Sequence, residues 1–113
     1  MGSAPCLDNC LIISGHTVGP SRTRCSPAGL PIASFTLEHH SRQSEADISR
    51  EARCRIQVLA GGDTLAPEAE KLQPGSWVRV RGFISRANHR HGETRLVLHA
   101  EQIEALAAPF ENN

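Results

Sequence analysis

The stretch Ser76–Ile103, SWVRVRGFISRANHRHGETRLVLHAEQI, sets the tightest limit on what this chain can fold into. Val78, Val80 and Ile84 alternate with Trp77, Arg79, Arg81 and Phe83. A period of two suits a strand with one buried face and gives a helix no continuous apolar stripe. Leu96 and Leu98 alternate in the same way with Arg95, Val97 and His99. Between them, residues 86–94 are too polar to bury and carry Gly92 where a turn needs it. Two strands are therefore expected to hold out a cationic, histidine-rich loop, which is the chemistry of a grip on an anion.

The same period recurs upstream. From Asn9 to Val18 the pattern is that of a strand, in which Gly15 suggests a bulge or sharp bend. Residues 19–29 read as a loop with a tight turn at Pro27-Ala28-Gly29 and room for a short paired stretch at Ser21–Cys25. A long strand follows from Pro31 to about Gln43, with Ala33, Phe35, Leu37 and His39 inward and Glu38, His40 and Arg42 outward; His39 is expected to be hydrogen-bonded in the core. Polar residues Gln43–Arg50 read as the turn. The next strand, Ala52–Ala60, places Ala52, Cys54, Ile56 and Val58 inward and Arg53, Arg55 and Gln57 outward. Gly61-Gly62 ends it, and Asp63 is positioned to cap a helix over Thr64–Leu72 that Pro74-Gly75 halts. After Ala100, residues 101–106 either extend the last strand or turn helical. Residues 1–8 are expected to be flexible and 107–113 to form a short tail, leaving 9–106 as one domain. Three strands, a short helix and two strands make the order of an all-β OB-fold, a five-stranded Greek-key β-barrel with its helix between strands 3 and 4.

Charge decides which part of such a barrel is interesting. Twelve Lys and Arg balance twelve Asp and Glu, which excludes a uniformly basic surface, but the distribution is uneven. Five arginines and two histidines stand against Glu93 between Arg79 and Arg95, and three arginines stand against Glu51 between Arg50 and Arg55. The outer face of strands 2 and 3, with the loops joining strands 1–2 and 4–5, is where an OB-fold holds nucleic acid. Arg22 and Arg24 fall on the first of those loops, and Arg86–Arg95 on the second. No apolar run reaches the roughly 20 residues of a membrane helix and no signal sequence leads the chain, so a cytoplasmic protein with free thiols is expected. His89-x-His91 lacks the partners of a metal site. No nucleophile–base arrangement or phosphate-cradling glycine loop occurs, so neither an enzyme nor a cofactor is expected.

Leu11-Ile-Ile-Ser-Gly15, Ser26-Pro-Ala-Gly-Leu-Pro31, Phe35-Thr-Leu-Glu-His39, Gly82-Phe-Ile-Ser85 and Leu96-Val-Leu-His-Ala-Glu-Gln-Ile-Glu104 resemble the primosomal replication protein N (PriB) family, relatives of the bacterial single-stranded DNA-binding proteins. The resemblance runs over Asn9–Glu104. It implies a homodimer that binds single-stranded DNA and acts with the restart helicase PriA and other primosome proteins. Position by position, Arg90 and Arg95 match the family's basic residues on the 4–5 loop, whereas Asn88 stands where a third would be. Arg24 and Arg50 match basic contact positions, and His40 occupies one where the best-known members carry arginine. Ile48 and Arg53 stand where the family has aromatic residues. The expected DNA-binding set is Arg24, His40, Arg42, Arg50, Arg53, Arg55, Arg86, His89, Arg90, His91 and Arg95. These would neutralise the backbone without reading bases, with limited stacking. Trp77, outward on its strand, is open to DNA stacking, a dimer contact or neither, with an oligomer contact favoured. The competing readings are a protein-binding adaptor with weak or no DNA binding and a tail-less SSB-like protein.

Overall fold

The computed structural model describes residues 7–87 and 95–108. Its elements are β1 (Leu11–Cys25), β2 (Pro31–Glu45), β3 (Ile48–Gly61), α1 (Leu65–Glu70), β4 (Trp77–Arg86) and β5 (Leu96–Ala105). The strands close into a barrel in the order β1-β2-β3-β5-β4, which is the expected OB-fold with its helix between the third and fourth strands. Every junction is antiparallel except β3 with β5, a parallel seam of Gln57 to Val97, Val58 to Leu98 and Leu59 to His99. No helix among the described residues is long and apolar enough to cross a membrane.

Alternation fills the interior as the pattern requires. Ala33, Phe35 and Leu37 of β2 meet Val58 and Ala60 of β3, Val78 and Val80 of β4 and Leu98 of β5. Ala66 and Ala69 bury the inner side of α1, which packs against β1, β2, β3 and β5. Thr17 is buried and polar, and it is fully used. Its hydroxyl donates to the Gln73 carbonyl at 2.8 Å and accepts from the Ser76 amide at 3.1 Å, stitching β1 to the connection that leads into β4.

Several boundaries move. β1 does not stop at Val18; it shifts register between Val18 and Arg22, where Gly19 adopts φ +73°, and pairs with β2 as far as Cys25 with Pro31. The bulge therefore lies at Gly19, not Gly15. Gly15 sits in regular pairing opposite Val78, and its role is close approach, since a Cβ there would land on the Glu38 carbonyl. Gln43–Arg50 is not a loop. The ladder of β2 and β3 continues to Glu45 opposite Ile48, and only Ala46 and Asp47 turn, both with positive φ. This stretch is polar because both faces of the projecting ribbon meet water, which its composition cannot distinguish from a turn. For the same reason Cys54 is exposed rather than inward. α1 is shorter than Thr64–Leu72 and Asp63 does not cap it. Thr64 holds the N-cap position without a side-chain bond, and Pro67 removes one amide from the first turn. Residues 101–105 extend β5, with a register shift opposite Arg81 and Gly82.

The close approach at Gly15 predicts that Gly15→Ala destabilises the fold by about 1–3 kcal/mol, because the obstacle is backbone that cannot rotate away. Gly61→Ala, where a Cβ would meet nothing, should stay within about 0.5 kcal/mol. Thermal denaturation followed by circular dichroism compares the two, and equal melting temperatures would contradict the close-approach account.

Candidate functional site

The register assigns each charged side chain to a face. Glu38 lies opposite Arg55, His40 opposite Arg53 and Arg42 opposite Glu51, so these six share the outer side of the β2–β3 ribbon. Arg24 of β1 pairs with Ile32 on the same side. It stands six residues along β2 from Glu38, roughly 20 Å away at a strand's rise. Arg50 is opposite Gln43 and therefore on the other side of the ribbon, away from Arg53 and Arg55. Ile48 shares that other side and is exposed at the tip. The alternation in Ala52–Ala60 already implied this parity, but only with the ribbon continuing past Ala52 does it apply to Arg50. At the far end of β4, Arg86 pairs with Leu96, and the Ala87 amide donates to the Arg95 carbonyl at 2.8 Å. Arg86 and Arg95 thus mark the root of the 4–5 loop. His89, Arg90 and His91, like Asn88, lie outside the described residues.

The cationic cluster expected on β2 and β3 is largely neutralised. Arg55 donates from Nε to Glu38 Oε1 at 2.6 Å, and Arg50 Nε lies 3.0 Å from Glu45 Oε1. Glu51 Oε1 is 3.7 Å from His40 Nε2 and 4.0 Å from Arg42 Nη2. From Glu38 to Arg55 the chain carries Arg42, Arg50, Arg53 and Arg55 against Glu38, Glu45, Asp47 and Glu51, a balance of zero. Arg53 is the ribbon arginine with no carboxylate within 4 Å among the described residues. Exposed pairs of this kind add little stability and are screened by salt, so an incoming anion can displace them. They lower the field of the ribbon without locking its arginines. The signal missed in the sequence was distance: Glu38 and Glu45 precede Arg50–Arg55 by several residues and fold back onto them through a two-residue turn.

Other side chains fix the shape of the site. His39 Nδ1 donates to the Ser14 carbonyl at 2.6 Å, since a carbonyl can only accept. Its Nε2 meets Ser41 Oγ at 2.7 Å, and that oxygen accepts from Gln43 Nε2 at 2.8 Å. The expected bonded, inward His39 is present, though partly exposed, where β2 leaves the barrel. Two ring pairs were not foreseen. His16 and Trp77 have centroids 5.0 Å apart with planes tilted by 55°. Phe83 and His99 are stacked at 4.7 Å and 16°. Both pairs follow from outward positions facing each other across a ladder, which requires the register to be known. Among the described residues no group of three or more His, Cys, Asp or Glu side chains is placed to hold a metal ion.

Comparison with known proteins places this geometry. A group described as "Another single-strand binding protein family" matches residues 9–102. The replication restart protein PriB of Photorhabdus laumondii is 45% identical over 98 residues, covering 87% of this chain and 93% of that protein. The PriB of Proteus mirabilis is 41% identical over the same span. Among solved structures, PriB from Ralstonia solanacearum superposes with a TM-score of 0.75 at 26% identity, covering 88% of this chain and 98% of that one. The single-stranded DNA binding protein from Thermus aquaticus superposes at 0.71 with 20% identity over 88% of this chain and 50% of its own, a likeness of fold.

The Arg55–Glu38 contact carries its own expectation. The Arg55 hydrogen bond, with smaller contributions from the charges of Arg55, His16 and Arg53, holds the Glu38 carboxyl below the usual glutamate range. A lowered folded-state value means that ionised Glu38 favours the fold above its unfolded pKa and that this contribution is lost as the pH falls through the folded-state pKa. Carbon-13 NMR titration of the side-chain carboxyl should show Glu38 titrating below the usual glutamate range and Arg55→Ala moving it back up. An unchanged value in the variant would remove Arg55 as the cause.

Proposed function

Because this chain belongs to the replication restart protein PriB family within the single-strand binding proteins, we propose that it binds single-stranded DNA non-specifically during reassembly of the primosome. The observation that carries this reading is the outward arginine ladder of the β2–β3 ribbon, on the same OB barrel as the Arg86–Arg95 loop root. Arg42, Arg53, Arg55 and His40 face the strand from the ribbon, Arg24 from the β1–β2 hairpin, and Arg86, His89, Arg90, His91 and Arg95 from the 4–5 loop. Arg50 reaches it only from the far side of the ribbon, by way of the tip. In this reading the set neutralises backbone phosphates and does not read base edges, and phosphate displaces Glu38 and Glu51 from the arginines as it binds. The protein acts by binding, without catalysis or cofactor, in the cytoplasm, and stabilises the complex of the restart helicase PriA with the DNA.

A second copy completes the unit. Residues 11–14 of β1 pair with β4 on one side, whereas pairing with β2 begins only at His16. Among the described residues no strand pairs with the other edge of residues 11–14, and Ile12 in this segment is 59% exposed. Open edges invite pairing with another strand, and a twofold axis lets the same segment serve both copies. The homodimer forms there.

The zero charge balance of the ribbon supports a second reading, an adaptor that binds protein through this face and touches DNA weakly. Salt dependence separates the two. For Z phosphates neutralised, log affinity for a labelled single-stranded oligonucleotide should fall with log salt at a slope of about −0.7Z. Arg53→Ala and Arg90→Ala should each weaken binding and flatten that slope by about 0.7. Glu51→Gln, which releases Arg42 and His40, should strengthen it. Absence of binding at low salt, or indifference to both arginine substitutions, would leave the adaptor reading in possession.

A further inference from the structure

Stacking on aromatic rings holds unpaired bases in place whatever their sequence, because every base has a π-face. Among the described residues Phe35, Trp77 and Phe83 are the ones with a phenyl or indole ring on which a base could stack. Phe35 is buried in the barrel core at 2% exposure and has no free face. Trp77 is half-buried against His16. Phe83 differs from both. It lies on the outer side of β4 with 41% of its surface exposed, opposite His99 of β5. The two rings are parallel to within 16° at 4.7 Å, and Ser85 Oγ lies 2.6 Å from His99 Nε2, fixing the imidazole that backs the phenyl ring. A ring held on one side by a fixed partner loses little freedom when something flat settles beside it.

The surroundings agree with that use. Phe83 is three residues before Arg86, where β4 enters the basic loop, and His99 is four residues after Arg95, where the chain returns. His99 pairs in turn with Leu59, Leu59 with Ser34 and Ser34 with Arg22, so a continuous row crosses the outer surface from the ring pair to the β1–β2 hairpin. We infer that Phe83, backed by His99, is the position on which a base of the bound single strand stacks, next to phosphates held at the root of the 4–5 loop. The inference rests on the DNA-binding reading and adds to it the residue that contacts bases rather than phosphates.

The test compares fluorescein-labelled oligo(dT) with an abasic oligomer of the same length, which keeps the phosphates and lacks the bases. Phe83→Leu keeps apolar bulk and removes the ring. It should weaken oligo(dT) binding by about fivefold or more and leave the abasic oligomer and the salt slope unchanged. Phe83→Trp should restore the discrimination. Combined with Trp77→Phe it also becomes the chain's sole tryptophan, whose emission should be quenched at saturating oligo(dT). Equal losses on both oligomers, no loss on either, or unquenched emission at saturation would overturn the assignment. If the parent binds neither oligomer at low salt, the DNA-binding reading falls with it. If the parent binds and Phe83→Leu is indifferent, the stacking position alone falls. The quenching experiment stands independently should Phe83→Leu fail to fold, as judged by its melting curve.

Discussion

Closure of five strands around a narrow interior is the constraint on which the rest of the molecule depends. The barrel closes through a parallel seam of three residue pairs between β3 and β5, much shorter than the antiparallel ladder of β2 and β3. Such a small ring leaves no room for large side chains all the way round. Ala33, Ala60, Ala66 and Ala69 sit beside Phe35, Leu37 and Leu98 in the core, so large and small alternate across it. At Gly15 and Gly82 the opposing carbonyls of Glu38 and His99 come so close that a side chain has no place at all. Those two contacts set where β1 crosses β2 and where β4 meets β5, and through them which outward residues face each other.

Outside the barrel the governing physics changes from packing to exchangeable charge. β2 and β3 run on past the core as a ribbon with water on both sides, where burial no longer selects residue type. Selection acts on cross-strand pairs instead, and here they are Glu38 with Arg55 and Arg42 with Glu51. Because each is exposed, these pairs offset the ribbon's charge and can open when an anion competes for their arginines. A chain with no net charge can in this way still present a phosphate-binding face. Arg53 stands apart within that set, with no carboxylate within 4 Å among the described residues.

Aromatic chemistry shows what pairing adds to composition. Three phenylalanines and one tryptophan are few for a protein that would hold bases, and the count alone argues for weak stacking. Register turns two of them into ring pairs with histidines that have no aromatic appearance in a composition table. The Phe83–His99 stack is held by Ser85, a residue whose side chain would otherwise be unremarked. The PriB relationship, read in the sequence from LVLHAEQIE and met again in relatives of 41–45% identity, does not by itself say which of these rings is available.

Alternating hydrophobicity was enough to determine an all-β barrel, the inward faces of the strands and the place of the helix, because burial on one side of a strand writes a period of two into the chain. The family was legible too, not from alternation but from the resemblance carried by a run of residues on β5. Alternation misled where that force is absent. Gln43–Arg50 looked like a turn because a ribbon wetted on both faces is as polar as a loop, Asp63 looked like a cap because nothing local shows that the helix starts later, and Gly15 looked like a bulge because a glycine needed for close approach reads the same as one needed for a bend. Only the tertiary structure decided that Glu38 and Glu51 neutralise the ribbon arginines, that Arg50 points away from Arg53, and that Phe83 rests on His99. Each of these depends on which residues stand opposite one another across a ladder. A slip of one residue would reverse every face, and local sequence does not fix that register; the closed barrel does.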